Sequence, residues 1–124
     1  MSYKSDRTAE DIRRELTVLI RGLKDPRLDV DTLTVVRTEV AHDLSFCKVY
    51  ISSLNGITAA TEAVKVLEKS AKGHLRTQLG RALTVRKVPE LKFIPDDSVE
   101  QSINLFRLLE EDNKRMAANE HHDD

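Results

Sequence analysis

The chain reads as an α+β domain: a three-stranded sheet with helices on one face. Three observations predict it. Apolar residues recur at helical spacing over residues 8–24, 57–83 and 99–109. Two short runs rich in β-branched residues, 33–41 and 46–53, lie close enough for an antiparallel hairpin. A third run, 89–95, follows only after the long helical stretch, and a helical crossover permits parallel pairing. The expected order is helix, strand, strand, helix, kinked helix, strand, helix, in one domain over 8–110. Residues 1–7 are expected to be disordered and 111–124 to be a charged, flexible tail.

The first helix is predicted from about 8 to 24. Thr8 and Asp11 suit a capping box, Ile12, Leu16, Leu19 or Ile20, and Leu23 mark an apolar stripe, and Glu10 can pair with Arg14. Pro26 is expected to stop it at Asp25, leaving Asp25-Pro26-Arg27-Leu28 as a turn. In the second strand Cys47, Val49 and Ile51 alternate toward the core, with Phe46, Lys48 and Tyr50 on the open face. Asn55-Gly56 ends that strand. Leu91 and Phe93 fall on one face of the third strand. Asp97 with Glu100 can cap a last helix whose apolar face is Val99, Ile103, Phe106 and Leu109.

The stretch from Ile57 to Leu83 joins two functions. Ile57, Ala60, Val64, Leu67 and Ala71 form an apolar stripe, while Lys65, Lys69, Lys72 and Arg76 follow helical steps on another face. Gly73 interrupts the pattern at a cost of about 1 kcal/mol against alanine, which suggests a kink or a close approach. Two helices are therefore expected to bend at Ala71-Lys72-Gly73, with cations around the bend.

Composition narrows the function classes. With 4% aromatic residues and no Trp, aliphatic side chains must build the core. One cysteine, Cys47, excludes an intramolecular disulfide and a cysteine zinc cluster, and reads as a small core residue. No apolar run approaches the roughly 18 residues of a membrane span, and the N-terminus is unlike a signal peptide, so a cytoplasmic location is expected. The net charge of −1 hides a segregation. Residues 65–92 carry 8 Lys and Arg against 2 Asp and Glu, a balance of +6; residues 96–124 carry 3 against 9, a balance of −6. A basic middle points to a polyanion, and the acidic end can compete for it.

Catalytic constellations are weak. His42-Asp43 falls in a hairpin turn, where Asp43 suits an Asx hydrogen bond. Asp96-Asp97 could ligate a hard cation, as a small metal-dependent nuclease would require, but helix capping explains it better. His121-His122-Asp123-Asp124 has metal-ligand types without a supporting shell. No glycine-rich phosphate loop is present. No enzyme activity, cofactor, metal or small-molecule substrate is expected. Lys65, Lys69, Lys72, His74, Arg76, Arg81, Arg86 and Lys87 are the expected RNA contacts, with Lys92 in the same basic run. Arg13, Arg14 and Arg27 form a second contact area. Few aromatics can stack on bases; Phe46 and Tyr50 are the sheet candidates. The competing reading is a protein-interaction module on the open sheet face around those two rings.

Short motifs in one order carry a family resemblance. They are Asp25-Pro26-Arg27-Leu28, Leu33-Thr34-Val35, Asp43-Leu44-Ser45, Lys48-Val49-Tyr50-Ile51, Gly73-His74-Leu75-Arg76 with Leu79-Gly80, Arg86 with Pro89-Glu90-Leu91-Lys92-Phe93, and Asp96-Asp97-Ser98. From about Arg13 to Leu109 the chain resembles the ribosome-binding factor A family. The resemblance implies a type II KH-like domain in which an Ala-x-Gly kink, here Ala71-Lys72-Gly73, stands where KH domains carry a Gly-x-x-Gly clamp. It implies a non-catalytic factor that binds free small ribosomal subunits and their ribosomal RNA, assists rRNA processing, and serves cold adaptation. A monomer is expected.

Overall fold

In the computed structural model, backbone is described for residues 3–83 and 87–122, and side chains for 7–83 and 87–114. Helix α1 spans Tyr3–Arg21, strand β1 Leu33–Val40 and strand β2 Phe46–Ser53. Helix α2 spans Ile57–Val66 and runs through a π-helical turn, Leu67–Ala71, into α3, Lys72–Ala82. Strand β3 is Glu90–Asp96 and helix α4 is Ser98–His122. The sheet order is β1-β2-β3. β1 pairs antiparallel with β2, and the register shifts by one residue between Val35 and Arg37. β3 pairs parallel with β2, Phe46 opposite Glu90 and Lys48 opposite Lys92. The α+β class and the element order stand as the sequence predicts.

The pleat explains the core. Cys47, Val49, Ile51 and Leu91 are fully buried, and Val35 and Phe93 nearly so. Against this face pack Ile12, Leu16 and Ile20 of α1, Val64 of α2, Leu67 and Ala71 of the π turn, and Leu75 and Leu79 of α3. Ile57 differs from expectation: it is the first residue of α2 and is exposed.

Helix ends depart most from the sequence reading. α1 begins at Tyr3, so Thr8 lies inside it rather than capping it. It ends at Arg21, beside Gly22, five residues before Pro26; low glycine propensity stops the helix earlier than the proline does. α4 continues to His122, so the helix takes in residues 111–122. Its Glu, Lys, Arg, Met and Ala residues favour helix without an apolar stripe. The expected apolar face of α4 is covered only at its start: Val99 and Ile103 are half-buried, while Phe106 is 70% and Leu109 52% exposed, with Leu105 and Leu108 beside them.

The start of α4 is also arranged differently. The Asp96 carboxylate accepts the Ser98 N–H at 2.7 Å, while the Asp97 carboxylate accepts from the Gln101 amide at 2.9 Å. Glu100 does not cap its own helix. It crosses to α2 and accepts the Ile57 N–H at 3.1 Å. That contact fills the place of an N-cap side chain, because the residue before α2 is Gly56, held at φ +100°.

Candidate nucleic-acid interface

The bend at Ala71 is a π turn and not a break. Ala71 has φ −109° and ψ −17°, Lys72 returns to φ −54° and ψ −49°, and Gly73 is helical. One extra residue in the turn re-aims the face of α3 relative to α2. The backbone stays inside one continuous helix, so no loop of free N–H groups forms for a phosphate. Any anion contact there depends on side chains.

Lys65, Lys69, His74, Arg76 and Arg81 are exposed along this helix, and Lys72 is half-buried. Several are held by neighbours. Lys65 meets Glu62 at 3.2 Å. Lys72 pairs with Glu68, whose other oxygen accepts the Phe93 N–H at 3.1 Å and so ties the π turn to β3. Arg76 donates to the Val88 carbonyl at 3.1 Å, and Gly80 lets that segment close in: a Cβ there would meet Val88 Cγ2 at 3.0 Å. Among the described residues Lys69 and Arg81 make no ion pair.

The expected grouping changes in three places. Arg27 does not join Arg13 and Arg14. It clasps Asp25 at 2.7 Å and donates to the Ser70 hydroxyl at 3.0 Å, which brings it to the π turn. That clasp, with the Arg27 N–H bonded to the same carboxylate, holds Asp25 down to about 2. Arg13 and Arg14 stay on α1, paired with Glu10 at 2.6 and 3.6 Å. Lys87 lies toward the hairpin: Asp43 is held below the usual carboxylate range first by Ser45 hydrogen bonds, and the Lys87 charge adds to this. Arg86 lies outside the described residues.

Asp43 accepts the Ser45 N–H and hydroxyl at 3.1 and 2.7 Å, the turn role expected of it. Cys47 is fully buried, and burial pushes its thiol up to about 12. On the open sheet face the Arg37 guanidinium stands 4.0 Å from the Tyr50 ring centre and covers it. Phe46 is left as the exposed sheet aromatic, at 40%.

Residues missed by sequence reasoning are Lys24 and Ser70. Lys24 and His74 line one cavity of about 260 Å3 with Asp25, Leu28, Ser70 and Ala71. The Asp-Pro-Arg-Leu motif after α1 was the available signal; its nearness to the π turn, across 43 residues, was not.

The class is now defined: a small α+β module carrying a basic face on an uninterrupted helix, with no metal-holding cluster of His, Cys, Asp or Glu among the described residues. No helix among them is long and apolar enough to cross a membrane. The sequence profile of the family described as Ribosome-binding factor A matches residues 4–109, and the chain belongs to that family. It is 38% identical over 122 residues to a ribosome-binding factor A of Desulforamulus reducens, covering 98% of this chain and 99% of that one. The crystal structure of ribosome-binding factor A from Thermus thermophilus superposes with a TM-score of 0.64 at 28% identity, covering 73% of this chain and 93% of that one. Coordinates of the Thermus thermophilus factor fitted into a cryo-EM map of its complex with the 30S subunit give a TM-score of 0.55 at 26% identity, covering 77% and 93%.

Proposed function

We propose that this protein binds free small ribosomal subunits through ribosomal RNA, acts in the cytoplasm as a monomer, and assists maturation of that RNA, including during growth in the cold. It holds the RNA in a premature arrangement and then leaves, without catalysis. One observation carries the reading: Lys65, Lys69, Lys72, Arg76 and Arg81 share an unbroken helix in a chain of this family, a relative of which has been fitted into a 30S complex. Lysine and arginine at phosphates release counterions, so binding of this kind weakens steeply with salt. The covered Tyr50 ring counts against protein docking on the open sheet face.

The test is sedimentation with purified ribosomal fractions across a salt series. Co-migration with free small subunits, lost as salt rises, is expected. The variant K65A/K69A/R81A spares Arg76, which holds the Val88 carbonyl, and Lys72, which pairs with Glu68. It should melt like the parent and bind subunits more weakly; unchanged binding would defeat the assignment of this face.

A further inference from the structure

Helix α4 turns a mostly polar side to its own domain and an apolar side to solvent. Glu100, Ile103, Asn104 and Arg107, at steps of three, one and three, line a cavity with Leu54 and Gly56, just before α2. Glu100 also holds the Ile57 N–H. Leu105, Phe106, Leu108 and Leu109 lie off that stripe and are each more than half exposed. A groove of about 240 Å3 runs beside Phe106, between Ser102, Ile103, Arg107 and Glu110. Surface helices ordinarily bury their apolar side, so four large apolar residues together on the outside mark a docking face. Acids close the end of this face. Asp112 stands one turn beyond Leu108 and Leu109, and Glu110 one turn beyond Phe106. Glu110, Glu111 and Asp112 are exposed and, among the described residues, make no ion pair.

We propose that this face of α4 docks a basic amphipathic segment of a protein of the small ribosomal subunit. Apolar side chains of that segment cover Leu105, Phe106 and Leu109, one of them entering the groove, and its lysines or arginines meet Glu110 and Asp112. Charge selects this occupant. Residues 96–124 carry 3 Lys and Arg against 9 Asp and Glu, so RNA and anionic membrane surfaces are repelled. A second copy of α4 would set acid against acid in a parallel pair, and acid against the uncharged Gln101 and Ser102 in an antiparallel one. A protein that itself holds RNA is basic, and so supplies the cations that these acids lack. The proposal rests on the subunit-binding reading above and adds a protein contact to it: the basic helix meets RNA while α4 meets a protein.

The test uses the full chain bound to purified free small subunits at low salt. The photo-crosslinking variant Leu109→benzoylphenylalanine is irradiated in the complex, and the attached species is identified by mass spectrometry. Attachment to a lysine- or arginine-rich segment of one subunit protein is expected. Attachment only to ribosomal RNA or to a second copy, or no attachment, overturns the proposal. F106S/L109S should bind subunits at least about fivefold more weakly, as the loss of apolar anchors does. E110Q/D112N should bind at least about twofold more weakly, since it removes two ion pairs at the rim. If α4 faced RNA instead, losing two negative charges would tighten binding, so equal or tighter binding by E110Q/D112N also overturns the proposal. Melting of both double variants, all at exposed positions, checks that the fold is intact. If K65A/K69A/R81A weakens subunit binding while position 109 finds no protein, only the α4 contact fails. If the parent does not sediment with subunits at all, the subunit-binding reading fails and the α4 contact with it.

Discussion

Gly73 sits in ordinary helical conformation, and a Cβ built there meets nothing within 4 Å. Neither backbone strain nor packing inside the chain asks for glycine. G73A should therefore stabilise the protein by up to about 1 kcal/mol, raising its melting temperature by a few degrees, because alanine is the better helix former. If the bare backbone lets RNA approach, the same change should weaken subunit binding while stability rises; calorimetry and sedimentation on one sample read both. The Asp25–Arg27 clasp makes a second prediction. A carboxyl lowered in the folded state from about 3.8 to about 2 favours folding when ionised. That stabilisation is complete above its ordinary range and is lost as pH falls from about 4 toward 2. D25N should flatten this part of the acid-unfolding curve and release Arg27 from the Ser70 side of the π turn. Neither residue's role was visible in the sequence beyond a turn motif and a glycine out of place.

At the scale of elements, α4 is the departure to explain. Its apolar residues recur at helical spacing, which predicts a buried stripe, yet Leu105, Phe106, Leu108 and Leu109 are each more than half exposed. Periodicity shows that a helix has a face and says nothing of whether the same chain covers it. F106S/L109S should accordingly unfold within about 0.5 kcal/mol of the parent, as surface changes do, whereas Leu75→Ala in the core should cost about 2–5 kcal/mol. Urea denaturation separates the two cases. The π turn shows the opposite relation. The sequence marks the place of the bend at Ala71-Lys72-Gly73, while its form depends on Glu68, which reaches both Lys72 and the Phe93 N–H. E68A should lower stability by about 1–2 kcal/mol, since it leaves a part-buried strand N–H unpaired, and it should raise amide exchange at Phe93.

For the whole molecule, charge is arranged along the chain as it is in space only in part. The basic run at 65–92 stays together because most of it lies on one continuous helix, while Arg13, Arg14 and Lys87 are drawn to other partners. Binding to single-stranded RNA should then weaken with a log-log salt slope of about −0.7 per phosphate neutralised, and K65A/K69A/R81A should flatten that slope by about 2. Titration of RNA at several salt concentrations measures it.

By itself the sequence determined the element order, the core face of β2, the shared face of Leu91 and Phe93, the hairpin, the place of the bend and the basic helical face. Each of these follows from local periodicity and turn chemistry, which act over a few residues. Tertiary structure decided the rest. It brought Arg27 to Ser70 and Glu100 to the first turn of α2, and it left Phe106 and Leu109 of α4 exposed. Those contacts join residues far apart in the chain, and their partners are chosen by how helices and sheet pack, which no local pattern records.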